Sequence, residues 1–566
     1  MRRSIFTIVL TVLSFSACSD FLMEKPKSIY TKDNAIVDEA GLKAAMVGAY
    51  SGLISLYVIN TNTPIFYYMV GTDELCYRAN NTNIRSIIDR FNYTPSEGSI
   101  AELWARYYAI IADANIVIDA SRKLEAVDES VTKACEAEAC FLRAWAYFQL
   151  VQFFGELPLI SEPVTYFDYT VPRSSIKDVY SFIVKDLEQA AAPETLPEEI
   201  VDGHASHWAA KTLLAKVYLT MASSKSAGRI SGYSGIEDSA ESLYGKASAL
   251  LKDIIDNSGR ELLPVYSDVF DVAGKNVNKE SIWEIQFCAQ ESYGTQWPKE
   301  MGLTNTGYSG TAGGWRYCAL GGQYTLNSIP SFRGYYRSYT QDVRRVWNLC
   351  DSLITYDKNS GKPLSIKSIV GLSGIPKGSD LTQNSNSSLV TRSSATKYRW
   401  GDSWKDDYPI QFNYSNCPNN IIALRFADVL LMYAEAELAL GKGTVSDAGL
   451  EAINRVQARA RGVDAGGNPV TADAAPEMPD FVKGDITLEE IMKERARELC
   501  FEFWRRHDLV RTGMFETFLK YRNEASNLVT NFDPDKHYLL PVPQYEIDNS
   551  RNPEGMYQNP NYSNNR

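Results

Sequence analysis

Residues 419–441, NNIIALRFADVLLMYAEAELALG, constrain this chain more than any other stretch. Phe426, Val429, Leu430, Tyr433 and Leu438 fall at helical spacing, which predicts a helix with one buried face. Ala434, Ala436 and Ala439 are small enough to admit a close neighbour. Gly441 and Gly443 supply the stop. Residues 446–461 read as a second amphipathic helix. A helix, a turn and a helix with a small-residue face form a tetratricopeptide-like pair.

The same pattern recurs upstream. Helices are expected over 40–56, 100–120, 131–154, 174–192, 204–222 and 242–257. Ala144 and Tyr147 lie three apart, as do Ala215 and Tyr218, which is the small-then-aromatic spacing of tetratricopeptide helices. The helices keep no fixed period, so the repeats are degenerate. An array of this kind can fold as one body despite a length of 566 residues, because each pair needs only its neighbours. Residues 57–97 read as a long loop, a length that is usually functional or disordered, and this one is too aromatic for a simple linker. Near Pro264 the character changes. Residues 280–287 alternate as a strand does, and 289–322 are rich in Gly, Thr, Tyr and Trp. Helix partly returns over 331–349, 354–394 are loop-like, and helix resumes from Ile421 to about 521. A tail rich in Pro and Asn then wraps the surface. The predicted fold is mostly α: a tetratricopeptide-like helical scaffold with a long irregular loop and short-strand insertion that carries the ligand site.

At the N-terminus, Arg2 and Arg3 precede the apolar run 5–15 and then Ser16-Ala17-Cys18. The run is too short to span a bilayer, which takes about 20 apolar residues, and it reads as a signal peptide. A Cys directly after Ser-Ala resembles a lipoprotein box, with Cys18 as the lipidation site. No later run is long enough to cross a membrane. The expected divisions are 1–17 signal peptide, 18–40 lipidated tether, 41–262 N-terminal helical region, and 263–566 C-terminal region with a variable segment at 289–398.

The net charge of −12 argues against nucleic acid as the ligand, since phosphate binding needs a basic face. The nine Cys are scattered without a C-x-x-C pair, so neither a zinc site nor a disulfide framework is expected. Cys135, Cys140 and Cys500 read as buried apolar residues. His204 and His207 lack a third ligand at metal spacing and read as a solvated helix cap. The segment Asp357-Lys-Asn-Ser-Gly361 starts like a calcium loop but lacks the closing Glu. No cofactor motif is present, neither G-x-S-x-G nor a phosphate loop. Two carboxylate groupings, Asp73 with Glu74 and Asp402 with Asp406 or Asp407, keep a glycoside hydrolase open, though spacing alone does not set their separation. The Glu and Arg residues of 494–511 read as helix-surface ion pairs.

Several of these stretches carry a family resemblance. Residues 425–436, RFADVLLMYAEA, resemble the signature helix of the SusD/RagB family, the outer-membrane glycan-binding lipoproteins of Bacteroidetes. Residues 494–502 (ERARELCFE) and 505–513 (RRHDLVRTG) resemble its late helix. Residues 540–543 (LPVP), Glu546-Ile547 and 558–562 (QNPNY) resemble its tail, and 138–158 resemble its N-terminal helix and loop. Ser19-Asp-Phe-Leu22 resembles the family's mature start. The resemblance weakens between about 268 and 398. It implies a lipid-anchored, surface-exposed outer-membrane protein without enzymatic activity. Such a protein captures oligo- or polysaccharide and hands it to a SusC-like TonB-dependent transporter.

Within the irregular segment, Tyr293, Trp297, Tyr308, Trp315, Tyr317 and Tyr324 alternate with amides, Thr and Arg. Flat rings cover the C–H faces of sugars while amides and guanidinium groups take the hydroxyls. The expected glycan contacts, ranked by ring size and polar neighbours, are Trp297, Trp315, Tyr317 and Tyr293. Arg78, Asn80 and Asn81 of the earlier loop assist, and Trp400 and Trp404 are the next place to look. A helical-repeat scaffold that binds only protein is the other class left open.

Overall fold

The structure, a computed structural model, describes residues 36–57, 64–77, 83–164, 170–199, 203–270, 278–288, 294–295, 297, 326–328, 332, 334–338, 341–350, 352–356, 363–368, 394–395, 397–398, 418–526 and 531–562. Helix dominates them, as expected. α1 (Glu39–Tyr57), α2 (Gly98–Lys123), α3 (Glu129–Phe154), α4 (Ile176–Ala190), α5 (His207–Ala227) and α6 (Ala240–Asn257) follow in order, each packed on the next. α6 then packs on α7 (Phe426–Leu440), and α7 on α8 (Asp447–Ala460). The tetratricopeptide-like stacking is therefore continuous across the break in sequence. The helices match the expected spans to within a turn or so, where helix ends fray in any case. Their starts are set locally: Asp128, Ser175, Ser206, Ser239 and Ser446 each accept a backbone N–H of the first turn.

α7 is the axis of the molecule, and it differs from expectation. Instead of one buried face, it is buried almost all round, from Phe426 through Ala436 and again at Leu438. α5, α6, α8 and α9 (Leu488–Leu499) enclose it. The turn after it follows the reading, since Gly443 has φ +96° and a Cβ on Gly441 would run into the Thr444 carbonyl. A second difference lies just before it. Residues Ile421–Arg425 do not open the helix but form a strand. Ile421 pairs with Ile285 and Ile422 with Glu284 of the antiparallel strand Ser281–Ile285. Phe426 N donates to Glu280 O at 2.8 Å, and only there does the helix start.

The long loop 57–97 is also more structured than expected. A 3-10 turn, Pro64–Tyr68, is wholly buried, and β1 (Leu75–Tyr77) and a short helix, Ile84–Asp89, follow it. The strand Ser281–Ile285 is β2. Part of the expected loop 354–394 is a hairpin of Ser352–Tyr356 with Pro363–Ser368. Of 331–349, Phe332 and Val343–Asn348 are helical among the described residues. The remaining two strands used below are β3 (Leu326–Ser328) and β4 (Ile421–Arg425).

The tail is stitched to the N-terminal half rather than laid over it. Leu540 N donates to Phe153 O at 2.7 Å, and Asn559 Nδ2 donates to Phe154 O at 3.0 Å and Leu540 O at 2.7 Å. Arg173 Nη2 reaches Phe154 O and Asn559 Oδ1 at 3.0 and 2.8 Å. One hydrophobic cluster runs from Leu42 to Tyr562, with Cys135, Cys140 and Cys500 inside it.

Candidate functional site

Strands that flank the segments singled out by sequence meet in one short ladder. β1 and β3 pair antiparallel, Leu75 with Ser328 and Tyr77 with Leu326. The chain leaves Tyr77 for Arg78, Asn80 and Asn81, and it arrives at Leu326 from Tyr293, Trp315 and Tyr317. Both segments thus root at the same end of the same pair. Those six residues lie outside the described residues, as do Cys18, Tyr308, Tyr324, Trp400, Trp404, Asp357, Asp402, Asp406 and Asp407.

Trp297, ranked first among the stacking rings, is the exception, and its place is a correction. It is 1 % exposed, with its ring centroid 4.8 Å from Phe503 and 6.2 Å from Phe66. A ring enclosed in this way is an anchor for the start of the segment, not an open platform for a sugar. Phe503 and its neighbour Phe501 hold φ values of +67° and +63°, a region bulky side chains rarely enter. Such backbone persists only where packing over-determines it. Here Phe501 N donates to Glu74 at 3.1 Å, while Phe503 packs on Trp297, Tyr57 and Tyr68.

The turn leading into β1 is held by charge. Arg505 clamps Asp73 in a two-point contact, Nε to Oδ1 at 2.8 Å and Nη2 to Oδ2 at 2.6 Å, and Tyr335 donates to Asp73 at 2.9 Å. Glu74 is buried beside them. Burial raises its pKa to about 8, against the opposing pull of Arg505. Both carboxylates of this pair are therefore buried and committed to protein partners, which removes the geometric case for them as a catalytic pair.

Beneath this turn lies a buried ionic network, and it corrects the helix-surface reading of 494–511. Glu494, Arg495, Arg497, Glu498 and Arg505 are all 3 % exposed or less. Arg425 donates Nε and Nη2 to Glu502 at 2.7 and 2.8 Å, and Nη1 to Glu280 and Glu498 at 2.7 Å each. Arg459 contacts Glu280 at 2.9 Å and also pairs with Glu498. Arg344 bridges Asp342, Glu494 and Glu498. Lys397 pairs with Glu502. Burial works to raise the Glu498 pKa, but Arg459, Arg425, Arg344 and Lys397 together hold it well below the carboxylate range. A second group surrounds α7, where Asp428 meets Lys216 and Arg495 and Glu435 meets Arg511.

His204 and His207 differ from a solvated cap. His204 Nδ1 lies 2.6 Å from Glu138, and His207 is buried against Trp208. Among the described residues no group of three His, Cys, Asp or Glu is placed to hold a metal ion, and no helix is long and apolar enough to cross a membrane.

A tetratricopeptide-like helical stack with a short antiparallel strand pair, β1 with β3, is the architecture of the described residues. The family comparison makes this specific. Residues 279–562 match the model of the SusD family, and 20–219 match the family described as starch-binding associating with outer membrane. The chain belongs to the SusD family. A SusD-like protein of Bacteroides ovatus is 27 % identical over 529 residues, 90 % of this chain and 82 % of that one. A SusD homolog from Bacteroides thetaiotaomicron superposes with a TM-score of 0.76 at 23 % identity, covering 94 % of this chain and 98 % of the other. Surface glycan-binding protein A from Bacteroides fluxus superposes with a TM-score of 0.68 at 24 % identity, covering 93 % and 99 %.

Proposed function

We propose that the chain is a cell-surface glycan-binding lipoprotein, tethered to the outer membrane through Cys18, that captures oligo- or polysaccharide without turning it over. It delivers the glycan to a SusC-like TonB-dependent transporter. The observation that carries this reading is the Tyr77–Leu326 register, because it roots the Arg- and amide-bearing segment beside the aromatic one. Arg78 directly follows Tyr77 in the chain, and Trp315 and Tyr317 precede Leu326 in it. Trp315, Tyr317 and Tyr293 then stack on sugar faces, while Arg78, Asn80 and Asn81 bind hydroxyls. Trp297 fixes the segment from below.

Each stacked ring contributes on the order of 1–2 kcal/mol by area burial, so two rings less ordering costs give a Kd between roughly micromolar and millimolar. The test begins with a glycan array on the mature chain. Calorimetry of Trp315→Ala, Tyr317→Ala and Arg78→Ala against the glycan found comes next, with circular dichroism for folding. Each variant is expected to weaken binding by about 5- to 30-fold. If all three fold and bind as the wild type does, the site is elsewhere.

A further inference from the structure

A concave surface lies between residues 334–337 and the start of α9. It is a cleft of about 740 Å³, within the ordinary range of ligand sites. Tyr335, Tyr336 and Phe481 floor it. The hydroxyls of the two tyrosines are already engaged inward, Tyr335 with Asp73 and Tyr336 with Asn348. Charged groups form the walls: Arg337, Lys493 and Arg497 against Asp485 and Glu490.

Most of these charges are spent locally. Arg497 Nη2 lies 2.6 Å from both Glu490 and Glu494, and Lys493 pairs with Glu489 at 2.7 Å. Asp485 accepts from Val482 N at 3.1 Å. Arg337 is different. Its Cζ sits 4.3 Å from the Phe481 ring centroid, and Nη1 donates to Pro479 O at 3.0 Å. No carboxylate among the described residues lies within ion-pair distance of it. Ring stacking and the single carbonyl contact hold the guanidinium in place, while its Nε–Nη2 edge remains for a ligand. Such an edge matches a carboxylate with two parallel hydrogen bonds. The electrostatics agree: burial, and after it the charge of Arg497, depress the Arg337 pKa even with Glu494, Glu490 and Asp485 acting against them, and an anion would oppose the Arg497 charge.

We propose that this cleft is a second glycan subsite, one that takes a sugar bearing a carboxylate, with Arg337 as the recognising residue. The proposal rests on the glycan-binding reading but not on the aromatic segment. Tyr335 links the two places physically, since it floors the cleft and donates to Asp73 at the root of β1. A net charge of −12 disfavours polyanions at long range, so recognition here is of a single acidic unit at short range.

The experiment titrates the mature chain with the methyl glycosides of glucuronate, galacturonate and mannuronate, each beside its neutral counterpart, by ligand-observed NMR. In the wild type at least one uronide is expected to bind about tenfold more tightly than its neutral partner. Arg337→Gln, with an unchanged thermal midpoint, should abolish that preference. Arg337→Lys, which keeps the charge and loses the fork, should fall between. Trp315→Ala should leave the preference intact while weakening the array-selected glycan. No preference in any of the three pairs, or a preference that survives Arg337→Gln, overturns the proposal. Loss of glycan binding in Trp315→Ala without any uronide preference would leave the aromatic reading standing and remove only this one.

Discussion

Replacing Arg425 by Met removes the cation on which β4, α7 and α9 converge. The side chain is 1 % exposed and makes four hydrogen bonds to carboxylate oxygens and one, at 2.6 Å, to Glu498 O. Deleting one partner of a buried ion pair typically costs about 3–5 kcal/mol, because the opposite charge is left uncompensated. Here the stranded carboxylates are not wholly abandoned. Glu280 keeps Arg459, Glu498 keeps Arg459 and Arg344, and Glu502 keeps Lys397. The expected cost of Arg425→Met is therefore at the lower end, about 3 kcal/mol. Glu502 loses the most, so Arg425→Met with Glu502→Gln should be at least about 1 kcal/mol less destabilised than the two singles added together. Urea unfolding followed by circular dichroism at neutral pH measures all four members of the cycle. A loss under about 1 kcal/mol for Arg425→Met, or strict additivity in the cycle, would refute the argument that the network is an interdependent unit.

Glu74 predicts a pH dependence. Its folded pKa, about 8, lies above its ordinary value of 4.5, so the folded state holds a proton that the unfolded chain has released. The associated stability is whole below the unfolded value and is lost as the pH rises through 8. Between about pH 6.5 and pH 8 the loss amounts to roughly 2 kcal/mol, and Glu74→Gln should flatten it in urea midpoints; an unchanged slope would exclude Glu74 as the source. Trp297→Ala should cost about 3–5 kcal/mol as a buried ring lost from the core, whereas Trp315→Ala should leave the midpoint in place. The opposite pattern would restore Trp297 as a ligand ring. Cys18→Ala should release the protein from the outer-membrane fraction of cells lacking the transporter, and retention there would sink the lipid-anchor proposal.

The helical scaffold was legible because periodicity survives degeneration of the repeats: Ala144 and Tyr147 are buried on α3, and Ala215 and Tyr218 on α5. Four things were not legible, each for a physical reason. Residues 421–425 form a short apolar run abutting a helix, and periodicity does not separate a strand from a helix over five residues; their partner, β2, lies far upstream. The charges of 494–511 recur at helical spacing, which usually marks a wet face, and distant partners such as Arg344, Arg425, Arg459, Asp73 and Asp428 pair with them in the core. Trp297 carries no sequence mark that distinguishes an anchoring ring from a platform. The signal that could have helped is Phe66, the ring it meets in the buried turn Pro64–Tyr68, although no spacing rule joins the two. The meeting of β1 with β3 is likewise a long-range pairing without a local signature.

Buried ion pairs seldom stabilise more than a hydrophobic set of the same volume would, so the placement of these charges calls for another reason. Each sits where the chain leaves the helical stack. Asp73 and Glu74 precede β1, and Lys397 follows the strand at 394–395. Glu280 leads into β2, and Arg425 ends β4 and caps α7. Arg344 and Asp342 begin the short helix Val343–Asn348. Apolar contacts tolerate sliding, whereas a two-point guanidinium–carboxylate contact fixes both distance and direction. The network therefore clamps the roots of the inserted segments to α9 and α10 (Arg505–Arg511), through Glu494, Glu498 and Arg505. With the roots held by charge and the Trp297 ring packed into the core, the stack does not depend on the other rings of the inserted segment. Rings and amides there can be exchanged to suit a different sugar without loosening the stack, provided that the clamping charges and the buried Trp297 ring are kept.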